Sequence, residues 1–251
     1  MSIPMLHLPA NEDHWYIRVP KGVVPFSRYD GPKPEKDKIY ASVTTVIGGG
    51  IPKPFPYYKW LAGRGSWAQA EREVKDASER GIRVHDALES LGLDPKVKVK
   101  HDAHRPEEWD MIWGIFRGLR TVGVKKVDPK CVECLAYDDE DHTAGTVDLY
   151  ASVGKEKWVI DYKTSKLIKL EHKIQVMKYG TMLRKMGKTV DRVCVIRSAE
   201  RAEDGNEIWI GKIDEEYLKA FDCARWMFWF LNPKAGPKTK EIPEFLSLSL
   251  L

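Results

Sequence analysis

The sequence predicts an α/β protein in which one central mixed sheet is flanked by helices, with a helical N-terminal part. Three observations lead to this prediction. The second half of the chain contains short runs rich in β-branched and aromatic residues, separated by polar connections, as in strands. Longer segments with helical periodicity lie before, between and after these runs. A single sheet with helices on both faces would bury such elements.

The composition is that of a globular protein with a mild excess of positive charge. The chain has 251 residues, of which 43% are hydrophobic and 31% charged, and its formal net charge is +4. This length allows one domain with an accessory piece or two small domains. The charge permits a polyanionic partner without requiring one. The nine tryptophans fit both core positions and stacking on nucleic-acid bases.

No pattern in the sequence indicates secretion or a membrane. The N-terminal residues lack the apolar stretch of a signal peptide, and no segment is long and apolar enough to span a bilayer. The four cysteines do not follow the spacing of a secreted disulfide framework. We therefore expect a soluble, intracellular protein with free thiols and no membrane association.

The first 40 residues are rich in proline, glycine and charge, which predicts a loop-rich N-terminal extension. Within it, Trp15–Val19 is predicted to form one short strand. The following segment, Ile39–Ile47, is rich in β-branched residues and ends at three glycines. Its periodicity fits either a strand or the start of a helix.

Residues 57–122 are predicted to form the helical part. The pattern is interrupted near Gly63–Gly65 and at Gly81, so we expect breaks there. Pro106 marks the start of the last helix of this part, because proline suits the first helical position and acidic residues follow in the first turn. This helix is expected to end near Thr121.

The second half of the chain, residues 128–231, is predicted to hold most of the sheet. Short polar turns favour an antiparallel meander of three strands, over Lys130–Tyr137, His142–Val153 and Lys157–Lys163. A helix, two strands and a last helix are predicted over Leu167–Met186, Asp191–Ser198, Asn206–Ile213 and Asp214–Leu231. Asp214 is a suitable N-cap for the last helix. Residues 232–251 are expected to form an extended, exposed tail.

The strand Lys157–Lys163 is apolar in its middle and ends in Asp161-Tyr162-Lys163. Asp161 and Lys163 are two residues apart and therefore project from the same face of the strand. Charges on a buried strand are costly unless they pair or hold a metal ion. This strand end is therefore a candidate site.

The preceding strand carries a second carboxylate in a similar position. Its apolar run includes Gly145-Thr146-Val147 and reaches Asp148. If the two strands pair across their short turn, Asp148 lies near Asp161. Two converging carboxylates form a hard oxygen site suited to Mg²⁺ or Mn²⁺. A neighbouring lysine can orient the water that attacks a phosphodiester.

Four further polar residues stand in patterns that favour a site. Gln175 and Tyr179 are four residues apart and share one face of a predicted helix. Glu133 is an acid within an otherwise apolar strand, and His85 lies on a predicted helix of the N-terminal half.

In this order, these residues resemble the motifs of the RecB-like branch of the PD-(D/E)xK nucleases. That branch shows a helix with a glycine and a histidine, an acid on the first meander strand, a G-x-x-D strand, a D-x-K strand and a Q-x-x-x-Y helix. The matching residues here are His85, Glu133, Gly145 with Asp148, Asp161 with Lys163, and Gln175 with Tyr179. The Ser42-Val43-Thr44-Thr45 segment, followed by Trp60, also resembles the N-terminal part of phage and mitochondrial exonucleases of this branch. The resemblance covers about residues 40–215, and the ordered set is more specific than any single motif.

The resemblance implies a restriction-endonuclease-like core and a nuclease domain over residues 41–231. Asp148 and Asp161 would bind the metal ion with the Tyr162 carbonyl, and His85 would be a further ligand. Glu133 would bind a second metal ion or its water.

The resemblance also implies roles around the metal site. Lys163 would position the attacking water, and Gln175 and Tyr179 would orient Lys163 or contact the scissile strand. DNA contacts are expected from Ser42, Thr44, Lys166 and Tyr179.

The cysteines do not fit the iron–sulfur cluster of some relatives, which have one early cysteine and three late ones in a tight group. All four cysteines here follow residue 130, and Cys194 and Cys223 are isolated, so no iron–sulfur cluster is expected. Cys131 and Cys134 suggest zinc, but no second pair of ligands follows at zinc-site spacing, although His142 is nearby. We therefore expect no zinc.

Each candidate residue also has a purely structural alternative. Asp161 with Lys163 fits a surface ion pair at a strand end. His85 fits an ordinary core or surface histidine, Glu133 an exposed edge-strand position, and Tyr179 a core position.

Two further groups of residues have two interpretations each. Trp226–Phe230 fits a core helix better than a stacking platform. Four lysines fit either a phosphate track or a solvated face: Lys163, Lys166, Lys169 and Lys173.

The sequence therefore favours a Mg²⁺- or Mn²⁺-dependent DNA nuclease, and the resemblance favours an exonuclease on single-stranded DNA or duplex ends. Two alternatives stay open: a sequence- or structure-specific endonuclease of the same fold, and a non-catalytic nucleic-acid-binding module. The intact set of Asp148, Asp161 and Lys163 argues against the second. The resemblance also implies the cytoplasm of a bacterial or phage-infected cell, and recombination, repair or replication proteins as partners.

Overall fold

A central mixed sheet is the main feature of the structure, which is a computed structural model describing residues 15–20, 22–28, 35–94, 96–198 and 206–237. Its eight strands are β1 (Trp15–Val19), β2 (Gly22–Pro25), β3 (Ile39–Ser42), β4 (Val132–Asp138), β5 (Thr143–Val153), β6 (Glu156–Lys163), β7 (Arg192–Ser198) and β8 (Asn206–Gly211). Seven of them follow the order β2-β1-β3-β5-β6-β7-β8, and β4 pairs with β5 outside this path. The predicted α/β architecture is confirmed.

The N-terminal strands extend this sheet at one edge. The predicted strand Trp15–Val19 is confirmed as β1, and it pairs antiparallel with both β2 and β3. The ambiguous segment after residue 38 is divided between two elements. It begins as β3 and continues as helix α1 (Val43–Gly50), with Ser42 as the N-cap whose side chain accepts a hydrogen bond from Thr45 N.

The helical part contains α2 (Phe55–Ala62), α3 (Trp67–Leu93) and α4 (Pro106–Val122). The break near Gly63–Gly65 and the start of α4 at Pro106 are confirmed. The predicted break at Gly81 is wrong, because α3 continues through it. A Cβ at Gly81 would lie 3.2 Å from Thr164 Oγ1, so the glycine allows close packing of the helix rather than ending it.

The predicted antiparallel meander is confirmed in β4, β5 and β6. Helix α5 (Leu170–Lys185) follows, and β6 then pairs parallel with β7, as expected for strands joined through a helix. Helix α6 (Glu215–Leu231) comes after β8, and the predicted N-cap Asp214 accepts a hydrogen bond from Glu216 N.

Helices cover the sheet on both faces. Helices α3 and α4 pack with the core that includes Met111, Leu149 and Ile160. Helices α1, α5 and α6 pack with the core that includes Val147 and Phe221. Burial of these two apolar layers supplies the main driving force for folding.

Strands β3 and β6 leave a gap between them along β5. Strand β4 occupies one edge of β5, from Thr143 to Leu149. On the opposite edge, β3 pairs only with Thr143 and Ala144, and β6 pairs only from Leu149 onward. The segment 145–148 therefore has no strand beside it on that edge, so groups from both faces of the sheet can meet there.

Two other predictions concern the termini and the surface. The expectation that Trp226–Phe230 is core is wrong for two of its rings: Phe228 is buried, whereas Trp226 is 62% and Phe230 66% exposed.

Within the described ranges, no helix is both long and apolar enough to cross a membrane. Of the predicted extended tail, residues 238–251 lie outside the described residues.

Candidate metal centre and catalytic cleft

Three carboxylates lie side by side at the gap in the sheet. The pairs Val132↔Leu149 and Cys134↔Val147 place Glu133 of β4 opposite Asp148 of β5. Continuing the β5–β6 register one residue beyond Leu149↔Ile160 places Asp148 opposite Asp161. Like charges opposite one another destabilise a sheet, so this row needs compensating positive charge.

His85 brings an imidazole to this row from helix α3. Its Nδ1 lies 3.5 Å from Asp148 Oδ1. His85, Glu133 and Asp148 each offer one ligand atom, and these atoms lie within 4.8 Å of one another. The arrangement is a potential acidic metal-binding group, made by one helix and two strands.

The backbone of Tyr162 fixes the other oxygen of Asp148. Tyr162 N donates a hydrogen bond of 2.6 Å to Asp148 Oδ2. The Tyr162 ring is buried, and its centroid lies 6.0 Å from that of the His85 ring. Burial raises the pKa of the Tyr162 hydroxyl well above 10. The role of the Tyr162 carbonyl as a metal ligand stays a prediction.

Asp161 and Lys163 form the predicted pair on one face of β6. Lys163 Nζ lies 2.6 Å from Asp161 Oδ2, and Asp161 is 1% exposed. This burial excludes the alternative of an ordinary surface ion pair. The Lys163 side chain is 18% exposed, and its ammonium group neutralises the buried acid.

Helix α5 supports the side chain of Asp161 through Gln175. Gln175 Nε2 donates to Asp161 Oδ1 and to Tyr179 OH, each at 3.2 Å. Both side chains are buried. A Cβ at Gly145 would lie 2.7 Å from Tyr179 Cε1, so only glycine at this position of β5 leaves room for the ring.

Burial is the largest single influence on the pKa of each acid in the row. Burial raises the pKa of Glu133 to about 7, and the Asp148 carboxylate adds to this shift. Burial also raises the pKa of Asp161 to about 6, although Lys163 opposes the change. Burial by itself would raise the pKa of Asp148, but His85, together with Lys163 and the Tyr162 N–H, outweighs it and the net shift is downward.

Burial and the neighbouring carboxylates also act on the pKa of His85, in opposite directions. Burial by itself would lower its pKa, but the Asp148 carboxylate outweighs it and holds the value at about 8. A metal-binding histidine must be neutral, so a cation would have to displace this proton.

Glu133 has two features that single it out. Its backbone φ is +46°, in the left-handed region that costs a non-glycine residue about 1–3 kcal/mol. Among the described residues, none donates a hydrogen bond to its carboxylate, although this group is partly buried. A divalent cation would satisfy it, and a set of carboxylates with one imidazole fits Mg²⁺ or Mn²⁺.

Of the four predicted DNA-contacting residues, Ser42 and Tyr179 are buried, and Thr44 and Lys166 are exposed. Ser42 is buried, and its hydroxyl is used within the α1 cap, with Thr44 and Thr45. Thr44 is exposed in the first turn of α1, and Lys166 is exposed after β6. Their contacts with DNA stay predictions.

Two residues near the site have no counterpart in the sequence-based prediction. Glu89 lies one turn after His85 on α3 and contributes to the raised pKa of Glu133. The i, i+4 spacing from His85 was a signal that could have found it. His172 is half-buried near Lys163 and Lys169. Burial, and to a smaller extent these two cations, lowers its pKa to about 3, so it is a neutral neighbour of the site.

Comparison with known proteins adds little to this geometry. No protein-family model matches the chain, and no curated protein matches it by sequence. A crystal structure of a protein named "Putative exonuclease", from Eubacterium rectale, is similar with a TM-score of 0.43 and 13% sequence identity. The similarity covers 82% of this chain and 86% of that chain. Interpretation of the cleft therefore depends on its own residues.

Proposed function

We propose that this protein is a Mg²⁺- or Mn²⁺-dependent nuclease that hydrolyses phosphodiester bonds of DNA. One observation carries the proposal: Glu133, Asp148 and Asp161 converge at a gap in the sheet, with His85 on one side and Lys163 on the other. Buried acids that repel one another are costly to fold, and such sites are concentrated where function requires them. The resemblance of the same residues to RecB-like PD-(D/E)xK motifs supports this proposal.

The residues that would hold the cation are His85, Glu133 and Asp148, whose ligand atoms lie within 4.8 Å of one another, and Asp161 is a further proposed ligand. When bound, a divalent cation acts as a Lewis acid, which lowers the pKa of water and stabilises negative charge on phosphate oxygens. Asp148 is held in position for this role by Tyr162 N, at 2.6 Å.

Lys163 acts on the water and the phosphate. Its ammonium group is anchored by Asp161 at 2.6 Å and is partly open to the cleft. From there it can donate a hydrogen bond to the attacking water or to a phosphate oxygen, which orients the nucleophile and offsets charge in the transition state. Gln175 holds the other oxygen of Asp161, so it positions Lys163 indirectly.

The proposal that this nuclease is an exonuclease rests on the motif resemblance alone. Cleavage would then proceed from a strand end, within recombination, repair or replication. An endonuclease of the same fold is the alternative, and the position of the cuts separates the two.

The test is incubation with end-labelled single-stranded and duplex DNA in Mg²⁺, Mn²⁺ or EDTA. Wild type is expected to cleave with either cation and not in EDTA, and Lys163→Ala is expected to lose at least about a hundredfold in rate. Lys157→Ala is the matched control, because Lys157 lies at the opposite end of β6 and its Nζ only contacts Ser152 Oγ. Equal rates for wild type and Lys163→Ala would refute the proposal. Internal cuts without release from the ends would refute only the exonuclease part.

A further inference from the structure

Five aromatic residues lie within a short segment that the proposed catalytic mechanism does not use. We call this set the aromatic platform, and it consists of Phe55, Tyr57, Tyr58, Trp60 and Trp67. The first four lie on α2, and the last begins α3. Neighbouring rings contact one another: the Tyr57 centroid lies 5.6 Å from that of Tyr58 and 5.8 Å from that of Trp60.

The platform is exposed to an unusual degree. Helix α2 contributes no buried residue to the fold. Phe55 is 78%, Tyr58 52% and Trp67 48% exposed. Burying one such side chain contributes about 1.5–3 kcal/mol, so the folded chain leaves this stabilisation unused. Several large exposed aromatic side chains within one short segment favour a binding surface.

The charge of the segment indicates which partner fits. Residues 51–70 contain Lys53, Lys59 and Arg64 and no acidic residue. The Arg64 guanidinium lies 4.9 Å from the centre of the Trp60 ring, and it also pairs with Glu73 at 2.9 Å. Lys53 and Lys59 are exposed. Aromatic rings interleaved with cations are the surface that binds unpaired bases and their phosphates.

The platform belongs to a chain segment that is attached to the cleft at both ends. The segment leaves the sheet at Ser42, which pairs with Ala144 beside the gap. It returns at His85, whose imidazole lies against Asp148. Trp67 precedes His85 by eighteen residues on the same helix, which is about 27 Å at 1.5 Å per residue. At ~3.4 Å per stacked base, this distance corresponds to about eight nucleotides.

We propose that the aromatic platform binds single-stranded DNA by stacking on its bases and guides that strand into the cleft. The guiding role rests on the proposed nuclease function, whereas the binding itself does not. Duplex DNA is a poor fit, because its bases are already stacked and paired and only its phosphates would face the rings. A protein partner would have to present acidic groups beside an apolar face to match both features, whereas single-stranded DNA carries a base and a phosphate in every nucleotide.

The test is binding of fluorescein-labelled oligo(dT) of twenty nucleotides, and of a duplex of equal length, measured by anisotropy in EDTA so that no hydrolysis occurs. The test variant is Phe55→Ala/Tyr58→Ala, whose side chains are exposed enough to be removed without disturbing the core. The matched control is Trp226→Ala/Phe230→Ala, a second exposed stacked pair on α6, with ring centroids 5.0 Å apart. Circular dichroism melting establishes that each variant is folded.

The test variant is expected to raise the Kd for oligo(dT) about fivefold per ring, or about 25-fold for the pair. Its Kd for the duplex, and both Kd values of the control, are expected to change by less than about twofold. Unchanged binding of oligo(dT) would overturn the proposal and leave a protein as the occupant of this surface. An equal loss on the duplex, or an equal loss in the control, would also overturn it.

Failure of the two proposals can be told apart. If wild type binds oligo(dT) through the platform but cleaves no DNA, the nuclease proposal fails and the platform stands. If wild type cleaves DNA but the test variant binds as wild type does, the platform fails and the nuclease stands. A five-nucleotide substrate is too short to reach from the aromatic platform to the proposed active site. Its cleavage rate is therefore expected to be equal in wild type and the test variant.

Discussion

Tyr162 N donates a 2.6 Å hydrogen bond to Asp148 Oδ2 at the point where β5 and β6 cease to pair. At this position, a hydrogen bond from the backbone to a carboxylate takes the place of the next backbone–backbone hydrogen bond between the two strands. It fixes one oxygen of Asp148, while the other faces His85 at 3.5 Å. Hydrogen bonds to a carboxylate are stronger than neutral ones, so this backbone contact and His85 together hold both oxygens of the central acid of the row in place.

Metal binding is expected to depend on pH, and the direction follows from the pKa shifts. Burial raises the pKa of Glu133 from 4.5 to about 7, so the metal-free protein loses stability as pH rises between these values. Asp148 raises the pKa of His85, against the effect of burial, from 6.5 to about 8, so stability falls again over that interval. A cation binds the ionised acid and the neutral imidazole, and therefore restores this stability at high pH.

Millimolar Mn²⁺ is thus expected to raise Tm more at pH 8 than at pH 5.5, as measured by differential scanning calorimetry. Glu133→Gln is the control, because it removes the titrating acid and is expected to flatten the fall in metal-free stability. A rise in Tm that is equal at both pH values would contradict this prediction.

Gln175 and Tyr179 are expected to contribute unequally to catalysis. Gln175→Leu removes the 3.2 Å hydrogen bond to Asp161 Oδ1, and outer contacts of this kind are worth about 10–100-fold in activity. Tyr179→Phe removes only the acceptor of the second Gln175 hydrogen bond and keeps the packing against Gly145. Steady-state kinetics should therefore show a larger loss of kcat for Gln175→Leu than for Tyr179→Phe. The opposite order would mean that the Tyr179 hydroxyl acts on the substrate itself.

Gly145→Ala is expected to destabilise the protein by about 1–3 kcal/mol, because its Cβ would lie 2.7 Å from Tyr179 Cε1 and overpack the core. Gly48→Ala is the matched control. A Cβ at Gly48 meets nothing within 4 Å, and alanine in helix α1 should stabilise the protein by about 0.5–1 kcal/mol. Urea denaturation measures both changes, and an equal effect of the two substitutions would refute the packing argument.

Lys178→Met is expected to cost about 3 kcal/mol. Lys178 is 4% exposed and lies 2.7 Å from Asp138, which is 1% exposed, so the substitution leaves a buried charge with only Lys185 to offset it. Lys75→Met is the control, because Lys75 is an exposed partner of Glu79 and such pairs contribute less than about 1 kcal/mol.

The same cluster predicts sensitivity to acid. Burial acts to raise the pKa of Asp138, but hydrogen bonds from Lys178 and Lys185 outweigh it and lower the value to about 2. This carboxylate therefore contributes stability above its ordinary pKa of 3.8, and the contribution is lost as pH falls through 2. Denaturation midpoints measured across this interval should fall less steeply in Lys178→Met than in wild type.

Strand ends were the most predictable part of the site. Asp161 and Lys163 follow an apolar run, and a period of two fixes them on one face of a strand, so their pairing could be predicted from local sequence. The proximity of Asp148 to Asp161 could also be predicted, once β5 and β6 were assumed to pair antiparallel across their short turn. Gly81 was predicted wrongly because a glycine in a helix can signal either a break or a close contact, and the contact with Thr164 is distant in sequence.

The order of the helices and strands, and the types of charged side chain on each strand, follow from the amino-acid sequence alone. Periodicity and turn residues act over a few neighbours, and the types of charged residue on each strand are visible directly. Tertiary structure is needed to place β3 and β6 on one edge of β5 with segment 145–148 open between them. It also decided that Glu133 adopts a positive φ and that Phe55 and its neighbours stay exposed. These features depend on strand pairing and packing between residues far apart in the chain, which no local pattern specifies.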